Sequence, residues 1–214
     1  MFASLCHPSM GLSTMNPVGK RREQQKAETH EIILESARIL FETVGFEKTT
    51  MRAVATNAGI GLGTIYKHFN NKAALLTAAL LGDLTRLYNS ATSAIRENIP
   101  LKQQFLSISG QFYTYYTARP ALARAYLTNL LALDEQGMAQ INAFDEAYAD
   151  KIRFLVEQAQ ERGEISTEKN SNYVALSIIA DYFFVLVTFF LRYGETDPER
   201  MLGVLEQLLE QTVA

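Results

Sequence analysis

Residues 46–76 read FEKTTMRAVATNAGIGLGTIYKHFNNKAALL, and no other stretch restricts the folding of this chain so tightly. Thr49 and Thr50 offer hydroxyls that can cap a helix over Met51 to Ala58. Gly59 then falls where a helix C-terminus calls for a left-handed residue. A second helix is predicted over about Leu62 to Phe69, and Asn71 can cap a third. Two short helices meeting across a glycine turn form the helix-turn-helix pattern, in which the second helix enters the DNA major groove.

The rest of the chain also reads as helix. Strand-like alternation is absent, and only 5 prolines interrupt 214 residues. A first helix is expected from Lys26 to Val44, with an apolar stripe of Ile33, Ala37, Leu40, Phe41 and Val44, and Gly45 ends it. A long helix from Lys72 toward Ile95 follows, then one ending at Arg119 and one begun by Pro120 and running through Leu133. Gly137 is expected to precede a helix that ends near Gly163. A very apolar helix over Lys169 to Tyr193 and a short amphipathic one after Pro198 complete the set. The expectation is an all-α chain of about nine helices: a loose tail over 1–24, a three-helix DNA-binding domain over 25–72, and a helical ligand-binding and dimerisation domain over 73–214.

Charge supports that division. Lys20 to Lys72 holds nine basic and six acidic residues, a net of +3, whereas Ala73 to Ala214 holds eleven and seventeen, a net of −6. The N-terminal third is thus the part suited to a polyanion. Cys6 is the sole cysteine, which excludes an intramolecular disulfide and a cysteine metal cluster and suits a reducing cytoplasm. The first nineteen residues lack the basic start and long apolar run of a secretory signal. No cofactor motif appears: GIGLGT (Gly59 to Thr64) looks like a phosphate loop, but a helix precedes it where a strand is required.

On the recognition helix, Gly61 and Gly63 are poor helix formers that permit close approach to DNA. Thr64 can meet a base edge, and Tyr66, Lys67, His68 and Lys72 suit phosphates, with Arg52 reaching a guanine or a phosphate. The segment TTMRAVATNAGIGLGTIYKHFNNKAALL resembles the DNA-binding segment of TetR-type transcriptional regulators. Thr49–Thr50, the Ala58–Ile60 turn, Thr64 to Tyr66, His68–Phe69, Lys72 and Leu75–Leu76 carry the match. With the first helix it covers Lys26 to Leu80, about a quarter of the chain.

The resemblance implies a homodimeric repressor on a near-palindromic double-stranded operator, released by a small-molecule effector. It implies phosphate contacts at Thr50, Tyr66, His68 and Lys72, and base-facing positions at Arg52 and Gly61 to Thr64; Thr49 and Lys67 complete the candidate DNA-binding set. It also implies a ligand cavity in the C-terminal body. The two glycines depart from a side-chain-rich reading head, which throws weight on Arg52, Thr64, Lys67 or DNA shape.

Aromatic residues concentrate in the body, and a cavity lined by rings with a few polar handles suits a largely apolar or aromatic effector. Phe112, Tyr116, Arg119, Tyr126, Asn129, Phe144, Tyr148, Asp181 and Phe184 are the candidates. Asp181, a carboxylate in an apolar run, could meet an arginine, cap a dimer contact or bind a cationic ligand. For the dimer, one stripe is Val174, Ile178, Val185 and Phe189, and a second is Leu202, Leu205 and Leu209; two helices per protomer would bury both. Two rival readings are a helical enzyme and a membrane-associated protein using Tyr173 to Leu191. With three histidines, one cysteine and no nucleophile elbow or P-loop, the chain carries no catalytic set, so no enzyme activity is expected. A carboxylate at the centre of the apolar run disfavours the membrane reading.

Overall fold

A computed structural model describes residues 17–93, 98–130, 135–194 and 197–213. Among these residues the chain forms nine α-helices and no strand. They are α1 (Pro17–Thr43), α2 (Met51–Asn57), α3 (Leu62–His68), α4 (Lys72–Ser93), α5 (Leu101–Thr117), α6 (Pro120–Asn129), α7 (Glu135–Glu161), α8 (Ser171–Val187) and α9 (Pro198–Thr212), with a π-helical turn, Thr188–Tyr193, continuing α8.

Helix α1 begins at Pro17 rather than Lys26, so part of the expected tail is helical; proline is well placed at a helix start, where its missing N–H costs nothing. Residues 1–16, including Cys6, lie outside the described residues, as do Leu131 to Leu133 at the expected end of the sixth helix. Gly137 lies inside α7 and does not precede it. The last turns of the apolar helix are π-helical, ending at Gly194 with φ +68°.

Ile33, Leu34, Ala37 and Phe41 on α1 bury against α2 and α4, and Ile65 and Phe69 fill the space between α1 and α3. Helix α4 starts under the DNA-binding module and runs into the body, with Leu75, Leu76, Leu80 and Leu84 buried. In the body, α5 packs on α9, α4 on α7, and α8 between α7 and α9. Ser171–Tyr193 has the length and apolarity of a membrane span. One face of it belongs to the core, where Val174, Ile178, Tyr182, Val185 and Phe189 are buried among its neighbours.

Candidate nucleic-acid interface

The turn between α2 and α3 follows from Gly59. Its φ of +67° is the left-handed geometry that a β-carbon disfavours. Ile60 N–H donates to Ala55 O at 3.0 Å and Gly59 N–H to Thr56 O at 3.2 Å, the paired bonds of a Schellman stop. At the other end of α2, the Thr50 hydroxyl oxygen accepts from Ala53 N–H at 3.1 Å, as a helix cap. Val54 and Ala55 on α2 and Ile65 on α3 are buried, which fixes the crossing of the two helices.

The opposite face of the pair is open. Arg52, Thr50, Gly61, Gly63, Tyr66 and Lys67 are exposed, Tyr66 by 50 %. Thr64 and His68 are half-buried at its edge. Neither Gly61 nor Gly63 has a positive φ. A β-carbon at Gly63 would meet nothing within 4 Å, and one at Gly61 would lie 3.9 Å from the Thr64 hydroxyl. The fold itself therefore does not require glycine at either position.

Two of the expected contacts are occupied otherwise. Thr49 is only 2 % exposed, and its hydroxyl donates to Gly45 O at 2.8 Å and Leu40 O at 3.2 Å, which leaves no proton for a phosphate. It ties the loop after α1 to that helix. The Lys72 ammonium donates to Phe46 O at 2.6 Å and Glu47 O at 3.2 Å and sits 4.2 Å from the Phe46 ring. Two of its three protons thus hold the α1–α2 loop against the start of α4.

His30 on α1 reaches this module from the side. Its ring stacks on Phe69 at 4.9 Å and lies 5.7 Å from His68. Burial holds both imidazoles below their ordinary value, and for His68 the charges of His30 and Lys26 act in the same direction. Sequence reading did not single out His30, whose role depends on which helix face meets α3.

The body departs more from expectation. Phe112, Tyr116, Tyr126 and Tyr148 are buried in a ring cluster, with Phe112 and Phe144 each packed on Tyr148. These rings fill core. The Tyr148 hydroxyl and the Ser109 hydroxyl are buried without a hydrogen-bond partner among the described residues. Arg119 pairs with Glu42 at 3.0 Å and covers the Tyr115 ring, and so joins the start of α6 to α1. The Asn129 amide donates to Ala125 O of its own helix at 2.8 Å. Asp181 accepts from the Thr212 hydroxyl at 2.6 Å, which resolves its partner as a residue of α9. Phe184 points outward, 60 % exposed.

Of the expected ligand set, Phe144 lines a groove of about 580 Å³ between α1, α4 and α7. Its lining includes His30, Leu34, Leu81, Gly82, Tyr88 and Ala147.

The dimer stripe is corrected as well. Val174, Ile178, Val185, Phe189, Leu205 and Leu209 are all buried within the chain. Leu202 packs on α5, with its side chain 3.2 Å from where a Gly110 β-carbon would sit. The face of α8 left open carries Tyr173, Leu176, Ala180, Phe183, Phe184 and, within the π turn, Leu191.

The profile of the bacterial regulatory proteins, tetR family, matches residues 33–79, which are α1 through the first half of α4. Over 185 residues the chain is 26 % identical to the HTH-type transcriptional repressor KstR of Rhodococcus jostii, covering 85 % of this chain and 82 % of that one. Residues 33–79 are thus the DNA-binding domain of a TetR-type transcriptional regulator. Another relative, 28 % identical over 146 residues, is the HTH-type transcriptional regulator UidR of Escherichia coli, covering 67 % of this chain and 72 % of that one. The fold of this chain matches the transcriptional regulator FadR of Bacillus subtilis, solved in complex with stearoyl-CoA, at a TM-score of 0.70 and 17 % identity, covering 86 % of this chain and 98 % of that one. It also matches FadR of Thermus thermophilus, a repressor solved in complex with lauroyl-CoA, at 0.69 and 19 %, covering 86 % and 92 %.

Proposed function

We propose that this regulator is a cytoplasmic repressor that binds a near-palindromic operator as a homodimer and leaves it when an elongated, largely apolar effector binds. The observation that carries the reading is the open face of α2 and α3. Arg52, Thr64 and Lys67 stand ready for base edges, and Thr50, Tyr66 and His68 for phosphates. Glycine at positions 61 and 63, which the fold does not need, lets a DNA strand approach the start of α3.

In the dimer, the exposed stripe of α8 pairs with its copy. Tyr173 and Leu176 are 73 % and 55 % exposed, and an apolar row of this length on a water-facing helix calls for a cover. The two α3 helices then stand about one helical turn (~34–36 Å) apart on the duplex.

The effector enters the groove between α1, α4 and α7 and reaches the ring cluster behind Phe144, where the unpartnered Tyr148 hydroxyl offers a hydrogen bond. Fatty acyl thioesters, the class bound by the two FadR structures, are the first candidates. A molecule in this groove touches His30, whose ring stacks on Phe69 at the end of α3, so its binding shifts α3 through α1. Effector and operator weaken each other reciprocally, by ~1–3 kcal/mol of coupling.

A gel shift with the purified protein and the DNA upstream of its own gene tests the reading. Retardation that lauroyl-CoA or stearoyl-CoA reverses supports it. No retardation at low salt overturns the DNA-binding part, and retardation that neither thioester reverses overturns the effector class.

A further inference from the structure

We propose that the first turns of α1 form a second DNA contact, in which Arg22 and Lys26 grip phosphates beside the groove that α3 enters. This rests on the DNA-binding reading above and extends it to residues outside the helix-turn-helix.

The first observation is continuity with the reading face. His30 stacks on Phe69 and lies 5.7 Å from His68, so α1 runs alongside the C-terminal end of α3. Lys26 stands one turn before His30, close enough for its charge to act on both imidazoles. Arg22 is one turn further, ~12 Å from His30 along the helix axis. Residues 20–28 are all helical and exposed, so these cations are carried on a helical extension of the module.

The second observation is charge without a partner. Residues 20–26 hold four cations, Lys20, Arg21, Arg22 and Lys26, against one acid, Glu23. None of the four forms an ion pair with a carboxylate among the described residues, whereas Arg38, Arg86, Lys102, Arg119, Arg153 and Arg162 all do. The nearby Glu28 accepts from the Gln24 amide at 3.1 Å. An exposed cation cluster of this kind fits a polyanion.

Phosphate contacts leave a distinct signature. Each one lost lowers the slope of log K against log salt by about 0.9 for duplex DNA and changes affinity alike for all sequences. The test is fluorescence anisotropy of the full chain on a 30-bp duplex from its own upstream region and on a scrambled duplex, titrated from 50 to 300 mM KCl. Arg22→Gln with Lys26→Gln should lower the slope by about 1.8 per bound protomer on both duplexes. The ratio of the two affinities should stay unchanged. Glutamine is as good a helix former as the residues it replaces, so α1 should persist, as circular dichroism will report. Lys151→Gln with Arg153→Gln on α7 removes the same charge from the body and should leave the slope as in the wild type. A slope within 0.3 of wild type for Arg22→Gln with Lys26→Gln overturns the proposal, as does an equal loss in the α7 variant. A wild-type chain with no duplex affinity at 50 mM KCl overturns the DNA-binding reading itself, and this inference with it.

Discussion

Asp83 is the most connected side chain between the DNA-binding module and the body, and replacing it by asparagine should cost the protein measurable stability. It lies on α4. One carboxylate oxygen receives the Arg38 guanidinium from α1 at 3.4 Å and Arg86 from its own helix, and the other accepts the Tyr115 hydroxyl of α5 at 2.7 Å. The Arg38 and Asp83 side chains are only 12 % and 14 % exposed. A Gly82 β-carbon would stand 3.3 Å from the Arg38 guanidinium, so glycine on α4 leaves the room that the pair occupies. Burial, then the hydrogen bond to Asp83, pushes the Tyr115 hydroxyl well above its usual range, so it stays a donor. Breaking a buried ion pair costs ~3–5 kcal/mol, because the surviving charge is left in a poor solvent. Asparagine can still accept from Tyr115, and the slight exposure of both groups lets water screen Arg38. Arg38 also keeps its pair with Glu35 at 3.0 Å, so the expected loss for Asp83→Asn falls below that range, at ~2–3 kcal/mol in urea unfolding. Replacing both partners, Arg38→Met with Asp83→Asn, should recover part of it, since no charge is then stranded. A loss below ~0.5 kcal/mol would refute the reasoning, because surface pairs that contribute nothing behave that way. So would a double variant as unstable as the sum of the two single ones.

Three further outcomes follow from the geometry. Gly59→Ala forces a β-carbon into the left-handed turn and should cost ~1–2 kcal/mol in thermal or urea unfolding, with weaker duplex binding. Leu176→Glu with Phe184→Glu places charges on the exposed stripe of α8 and should yield a folded monomer in sedimentation; a dimer of unchanged stability would move the interface elsewhere. Burial lowers the folded-state value of His30 and of His68 below 6.5, so the folded module binds fewer protons than the unfolded chain. Its stability is then full above pH 6.5 and is lost as the pH falls below it, and His30→Gln should flatten that dependence in unfolding curves taken from pH 7.5 to 5.5.

The DNA-binding module was legible because its signals are local. A cap at Thr50 and a left-handed glycine at 59 each act within a few residues, and each kept its sequence-assigned role in the structure. Thr49 misled because two adjacent threonines offer the same hydroxyl, and only the packed loop decides that one faces inward to Gly45 and Leu40. His30 and Lys72 act across 38 and 26 residues of chain, on His68 and Phe46, so no spacing rule reaches them.

The body was less legible for a physical reason that α8 makes plain. Ser171 to Val187 is apolar on nearly every side, so helical period selects no face. Spacing of three and four drew Val174, Ile178, Val185 and Phe189 onto one stripe, which is correct as a stripe. An apolar stripe states that something must cover it and leaves the cover unspecified. Here α7 and α9 cover that stripe, and the row from Tyr173 to Leu191 on the other side keeps its exposure. The same ambiguity governs Asp181. A carboxylate among apolar residues announces a partner, and only the packing of α8 on α9 names it as Thr212. Both faces of α8 are therefore assigned by one fact absent from local sequence: which side α9 folds against. Charges placed on the inward stripe should unfold the chain, while charges on the outward one should split the dimer and leave the fold intact, and that contrast separates cover by the chain from cover by a second copy.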